Sequence, residues 1–167
     1  MSVGLLMVRV VVGLLMAAHG SQKLFGWFGG YGLAGTGGFF EGLGFRPGRL
    51  FAAAAGTSEF VGGLLVALGL LGPVGPALIL SVMLVAAVSV HWHGVFAASN
   101  GVEIPLLYSV VAVALALIGP GQYSLDALLG LTAVWTTPLS LLTLFVGVSG
   151  AIVNLTIRRP AVGSVAA

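Results

Sequence analysis

Five apolar stretches dominate this sequence, and they constrain its fold more than any other feature. A helix that crosses a lipid bilayer needs about 20 mostly apolar residues. The stretches run over Gly4–Leu24, Leu50–Leu71, Val74–Trp92, Ile104–Gly119 and Pro138–Ile157. The chain is 59% hydrophobic and only 6% charged, whereas a soluble domain carries about 25% charged residues. Its mean hydropathy is +1.17. We therefore predict an all-α membrane protein.

The connections between the stretches complete the predicted architecture. Gly-Pro pairs at 72–73 and 119–120 end the second and fourth stretches, as helix stops do. A connection over 25–49, rich in Gly and aromatic residues, includes a short interfacial helix expected over 33–43. A second surface-lying stretch covers 121–137. We predict a four-helix transmembrane bundle plus a fifth C-terminal transmembrane helix, with interfacial segments after spans 1 and 4.

Small residues indicate where the helices contact each other. Gly and Ala spaced four apart allow two helix backbones to approach closely. The sequence places such pairs at Gly13/Ala17, Gly63/Ala67 and Gly147/Ala151. The last pair lies in the fifth stretch, which needs only one neighbouring surface, so we expect that helix at the periphery.

The few charges suggest an orientation and exclude several classes of protein. With five spans, every Lys and Arg except Arg9 lies on one side of the membrane. The positive-inside rule then favours an outside N-terminus and a cytoplasmic C-terminus. A net charge of +2 is too small and scattered for nucleic-acid binding. The absence of Cys excludes disulfides and thiolate metal sites in this chain.

Glu59 is the most informative charge because it lies in the middle of the second stretch. A charged side chain there costs about 2.5–3.5 kcal/mol on insertion scales and marks a functional site by default. We expect Arg9 to be its ion-pair partner; alternatively, Glu59 transfers protons or bonds to a quinone head group. Asp126 is the remaining ion-pair candidate. We expect it to cap an interfacial helix, a task that Ser124 could share.

Three further polar residues near one membrane face are candidates for binding a ligand or a quinone: His19, Lys23 and His91. His19 could instead bond to a backbone carbonyl, and Lys23 could extend to the lipid head groups. In a helix, His91 and His93 would point about 200° apart. We therefore expect at most one of them to turn inward, and we predict no metal site.

Four motifs, in this order, resemble the DoxX family of small bacterial and archaeal membrane proteins: HGSQKLFGWFGG (19–30), GGFFEGLGF (37–45), EFVGGLLVALGLL (59–71) and GPGQYSLD (119–126). The resemblance implies a DoxX-like four-helix domain over 1–126, in a prokaryotic plasma membrane. Residues 127–167 would then be a C-terminal extension. The family takes its name from a subunit of a terminal quinol oxidase, and its relative DoxD is linked to thiosulfate:quinone oxidoreduction.

Three functions stay open on the sequence alone. The resemblance favours a quinone- or lipid-contacting subunit of a membrane redox system, with quinone as the cofactor. A second function is a non-catalytic scaffold, with protein partners in a membrane complex or as a homo-oligomer. A third is a small-solute or proton transporter that uses Glu59 and His19. The sequence has no self-contained active site, since it lacks a nucleotide-binding glycine loop and an HExxH motif.

Overall fold

The computed structural model describes residues 2–159, which form helices and connecting loops without any strand in this range. Three short 3₁₀ turns, at Trp27–Gly29, Ala97–Ser99 and Thr132–Val134, lie in the connections. The predicted all-α fold is therefore confirmed. The α-helices are α1 (Ser2–Phe25), α2 (Gly32–Gly42), α3 (Gly48–Leu68), α4 (Val74–Ser89), α5 (Glu103–Ile118), α6 (Leu125–Leu128) and α7 (Thr137–Thr156).

Three of these helices, α1, α3 and α7, are long and apolar enough to cross a membrane. Helices α4 and α5 are apolar but have only 16 residues each, which is about 24 Å of helix. The hydrocarbon core of a bilayer is about 30 Å thick. The third predicted span, over 74–92, is thus helical only as far as Ser89. That α4 and α5 also cross the membrane completely therefore stays a prediction.

The short helix expected after the first span is present as α2, which begins and ends one residue before the predicted range; its interfacial position stays a prediction. The second expected surface stretch, over 121–137, contains only the single-turn helix α6 and one 3₁₀ turn. Trp135, near its end, packs against Gly72 in the α3–α4 turn. This stretch is therefore mostly irregular chain that lies against the turn between α3 and α4.

Helices α1 and α3 pack closely through the small residues that the sequence indicated. A Cβ atom added at Gly13 would lie 2.5 Å from the carbonyl oxygen of Gly63 and the amide nitrogen of Ala67. A Cβ atom added at Gly63 would lie 2.5 Å from the amide nitrogen of Ala17. The two backbones can approach this closely only because neither glycine carries a side chain.

Helix α7 packs mainly against α4 and makes a smaller contact with α5. Its Gly147 lies against the backbone of α4, where an added Cβ would be 2.6 Å from the carbonyl oxygen of Ala77. Only 17% of the residues in its apolar segment are buried, against 28% for α1 and 33% for α3. Most of its apolar side chains, including Phe145 and Val146, therefore face outward, as lipid-contacting residues do.

Candidate functional site

A buried ion pair joins α1 to α3. Lys23 Nζ lies 2.8 Å from Glu59 Oε1 and 2.5 Å from Glu59 Oε2. The Glu59 side chain is only 2% exposed, and that of Lys23 is 25% exposed. Glu59 is thus paired, as expected, but its partner is Lys23. The prediction that Arg9 pairs with it was wrong. Lys23, which we expected to extend to the head groups, turns inward instead.

The register between α1 and α3 explains why Lys23, and not Arg9, pairs with Glu59. Gly20 of α1 packs against Gly56 of α3, while Gly13 packs against Gly63. Continuing this antiparallel register brings Arg9 beside the end of α3, where its Cζ atom would lie 2.6 Å from a Cβ added at Gly69. Arg9 is therefore too far along α1 to reach the carboxylate in the middle of α3.

Arg9 instead binds the connection between α5 and α6. Its guanidinium group donates to the carbonyl oxygen of Pro120 and, over 2.7 Å, to that of Tyr123. Within residues 2–159, the ion pair between Lys23 and Glu59 is the only one. The structure therefore gives Arg9 a structural role, but not as part of an ion pair.

Asp126 holds the turn between α3 and α4. Its side chain is fully buried and accepts hydrogen bonds from the amides of Leu71, over 2.9 Å, and Gly72, over 2.7 Å. The expectation that Asp126 caps its own helix was wrong, because Ser124 Oγ accepts the capping bond from the amide of Ala127 over 3.1 Å. Asp126 was also expected as an ion-pair candidate. Its carboxylate is satisfied by backbone donors instead.

The Lys23–Glu59 pair borders a cavity of about 230 Å³, called here the polar cavity. His19, Lys23, Glu59 and His91, the four residues that the sequence suggested as ligand candidates, all line it. Tyr108 of α5 lines it too, and its ring meets His19 edge-on at 6.2 Å between centroids. The fold therefore brings all four candidates to one place.

A second cavity, of about 290 Å³, adjoins the first and is called here the apolar cavity. It shares Lys23, Glu59, Ala86 and His91 with the polar cavity. The rest of its wall is mostly apolar, although three serines and Asn154 of α7 also contribute to it: Ser58, Ser81 and Ser89. Four aromatic side chains from α2, α3 and the loop between them line it: Phe39, Phe40, Phe45 and Phe51. The ion pair thus lies in the part of the wall that the two cavities share.

The two neighbouring histidines differ in their surroundings. His91 is half-buried, lines both cavities, and its Nδ1 lies 3.0 Å from the carbonyl oxygen of Asn100. His93 is exposed. The expectation that at most one of them turns inward is confirmed. Its helical premise was wrong, however, because α4 ends at Ser89 and both histidines follow in a turn.

Residues 2–159 contain no group of three or more His, Asp or Glu side chains placed to hold a metal ion. Several residues that line the cavities were not predicted from the sequence. Two of them, Tyr108 and Asn154, are polar groups inside otherwise apolar stretches, and that contrast was the available signal. The phenylalanines of the apolar cavity carried no such signal, since aromatic residues are common at the membrane interface.

Comparison with known proteins agrees with the motif resemblance. Searches among curated proteins and among solved structures gave no match. The family model named DoxX matches residues 4–92, from the first turn of α1 to the turn after α4. His19, Lys23, Glu59 and His91 lie within this range, whereas the motif at 119–126 lies outside it. Because the match covers more than half of the chain, this protein belongs to the DoxX family.

Proposed function

We propose that this membrane protein binds a quinone, with the head group in the polar cavity and the tail in the apolar cavity, as a subunit of a membrane redox system. The observation that carries the proposal is the position of the Lys23–Glu59 pair in the wall of both cavities. The ion pair and His19 give a head group polar contacts in the first cavity, and the four phenylalanines give a tail an apolar wall in the second. When bound, a quinone would supply the capacity to carry electrons and protons within the membrane.

The side chains of the polar cavity suit the carbonyl oxygens of a quinone head group. These oxygens accept hydrogen bonds, and Lys23, His19 and Tyr108 can donate them. The Nδ1–H of a neutral His91 is used by the Asn100 carbonyl, which leaves its Nε2 to accept from a hydroxyl group of the reduced quinone. An ammonium group has three N–H donors, while the two Glu59 oxygens accept from only part of that set. Lys23 therefore keeps donor capacity for a ligand while Glu59 holds it in place.

The apolar cavity suits the tail. Pockets for small molecules measure roughly 300–1,000 Å³ and are mostly apolar with a few placed polar groups. Each cavity alone is slightly smaller than that, at about 230 and 290 Å³, and the two together fall within the range. The aromatic wall of the apolar cavity would bury the tail, and burial of apolar surface would supply most of the affinity.

The electrons have to come from a partner protein in this proposal. The chain has no Cys, so it cannot hold a Cys-ligated iron–sulfur cluster. The transport alternative requires Glu59 to exchange protons with water. Glu59 is 2% exposed and paired with Lys23, so the geometry gives this alternative no separate support.

The two histidines after α4 provide a matched test. Equilibrium binding of a short-chain quinone, in its oxidised and its reduced form, would be compared for the His91→Gln and His93→Gln variants of the purified protein. We expect His91→Gln to weaken binding of the reduced form about tenfold, because a lost hydrogen bond of about 1.4 kcal/mol corresponds to that factor. His93→Gln should bind like the wild type. Tyr108→Phe, which keeps the ring, should also weaken binding. Equal affinity in all four proteins would overturn the proposal.

A further inference from the structure

Four of the six Lys and Arg residues lie together at one end of the molecule. Arg46 and Arg49 lie on either side of the start of α3, and Arg158 and Arg159 follow the end of α7. All four are exposed. These residues are called here the arginine cluster.

Specific contacts bring the two halves of the cluster together. Arg158 Nε donates to the carbonyl oxygen of Leu43 over 2.6 Å, and the Arg159 amide donates to the carbonyl oxygen of Gly44 over 2.9 Å. The Arg158 guanidinium group also lies 5.9 Å from the centre of the Phe45 ring, within the range of a cation–π interaction. The chain after α7 is therefore bound to the α2–α3 loop.

Gly44 makes this close approach possible. Its φ angle is +94°, in the region that favours glycine. A Cβ atom there would collide with the carbonyl oxygen of Arg159. Residues more than 100 positions apart in the sequence thus meet at one end of the molecule.

The charges of the cluster have no acidic partner among residues 2–159. Across residues 2–159, none of the four guanidinium groups lies within ion-pair distance of a carboxylate. The nearest acid in the sequence, Glu41, accepts a hydrogen bond from the amide of Gly48 over 3.0 Å. The cluster therefore presents its positive charges outward.

The place of the cluster identifies the class of its ligand. Helix α3 begins at Gly48 and α7 ends at Thr156, and both are long and apolar enough to cross a membrane. If α3 and α7 cross the membrane, the cluster lies where both leave the hydrocarbon, at the depth of the lipid head groups. Arginine binds phosphate oxygens through two parallel hydrogen bonds. We propose that the arginine cluster binds the phosphate groups of acidic phospholipids; this inference does not depend on the quinone proposal.

Native mass spectrometry of the protein in mixed micelles of phosphatidylglycerol and phosphatidylcholine would test this. We expect the wild type to retain phosphatidylglycerol preferentially. The Arg46→Gln/Arg49→Gln variant, which leaves the contacts of Arg158 intact, should lose about fivefold in affinity per arginine, because each basic residue near an anionic surface contributes about 1 kcal/mol. The Arg46→Lys/Arg49→Lys variant keeps the charge and should retain most of the preference.

Three controls make the outcome decisive. Melting temperatures in phosphatidylcholine alone should be the same for the wild type and both variants, which shows that folding is unaffected. Inorganic phosphate added in excess should leave phosphatidylglycerol bound; its displacement by free phosphate would identify a soluble anion as the ligand and overturn the lipid assignment. Equal retention of the two lipids by the wild type, or an undiminished preference in the Gln variant, would also overturn it.

Discussion

Lys23 Nζ lies within 2.8 Å of both carboxylate oxygens of Glu59, a residue whose side chain is only 2% exposed. Burying a carboxylate in a membrane bundle is costly unless it is paired. The pair therefore couples the stability of the α1–α3 contact to the shape of both cavities.

The ion pair itself is expected to show strong coupling in a double-mutant cycle. Glu59→Leu leaves the Lys23 ammonium without its counter-charge and should cost about 3 kcal/mol, the lower end of the range for a broken buried pair, because Lys23 is partly exposed. Lys23→Met should cost at least as much. The combined Lys23→Met/Glu59→Leu variant should recover much of the loss, as apolar replacements of buried pairs often do. Thermal unfolding in detergent gives the stability of the wild type, the two single variants and the double variant.

Arg9 provides the control for that cycle. Arg9 binds the Pro120 and Tyr123 carbonyls rather than Glu59, so the losses caused by Arg9→Met and Glu59→Leu should be additive within about 0.5 kcal/mol. A strong interaction energy between Arg9 and Glu59, together with none between Lys23 and Glu59, would contradict the pairing described above.

The contact between α1 and α3 predicts an opposite response of two glycines in the same helix. A Cβ at Gly13 would meet the α3 backbone at 2.5 Å, whereas a Cβ at Gly4 has nothing within 4 Å. Gly13→Ala should therefore destabilise the protein by about 1–3 kcal/mol through overpacking. Gly4→Ala should be neutral or stabilise it by up to about 1 kcal/mol through helix propensity. Thermal unfolding of the two variants measures the difference; similar behaviour of both would argue against close α1–α3 packing.

Asp126 is expected to be essential for the turn between α3 and α4. Asp126→Ala leaves the amides of Leu71 and Gly72 without their acceptors. Each unsatisfied buried donor costs about 1–3 kcal/mol, so the melting temperature should fall clearly. Gln122→Ala, an exposed change in the same connection, serves as the control and should melt like the wild type. If Asp126→Ala also melted like the wild type, the buried hydrogen bonds of Asp126 would not stabilise this turn.

Truncation after Gly130 is expected to leave a folded, membrane-inserted core. Helix α7 is the least buried of the three long helices, and lipid can cover the face of α4 that it leaves. Truncation removes the part of the apolar cavity's wall that α7 supplies at Asn154. Because the tail would then lie in an open cavity, the affinity for long-tailed quinones should fall more than the affinity for short-chain quinones. Size-exclusion chromatography distinguishes a folded core from an aggregate, and aggregation would show that α7 belongs to the core.

The sequence predicted the helices well because long apolar stretches leave a chain in lipid few alternatives. Glu59 was identifiable for the same reason, since a lone acid in an apolar stretch has to be accommodated. Its partner was not identifiable, because the choice between Arg9 and Lys23 depends on how α1 slides along α3. That register follows from backbone contacts such as those of Gly13 with Gly63, and the sequence marks the glycines without showing which ones meet.

The end of α4 shows a second limit. The apolar pattern continues to Trp92, yet the helix stops at Ser89, and the turn that follows brings His91 inward. The Nδ1 contact of His91 with the Asn100 carbonyl joins this turn to the loop before α5. Such a contact depends on a loop conformation that no periodic pattern reports. The sequence therefore predicted four of the residues that line the polar cavity, but it could not predict the shape of the cavity.

Photocrosslinking with an azido-quinone, followed by peptide mapping, tests the central claim most directly. If the head group lies in the polar cavity, the labelled sites will cluster around His19, Lys23, His91 and Tyr108, and excess unlabelled quinone will abolish the labelling. The lipid-facing side chains of α7, such as Phe145 and Val146, serve as the internal reference for non-specific labelling. Labelling confined to those outer residues, or labelling of the cavity that unlabelled quinone does not reduce, would contradict the account.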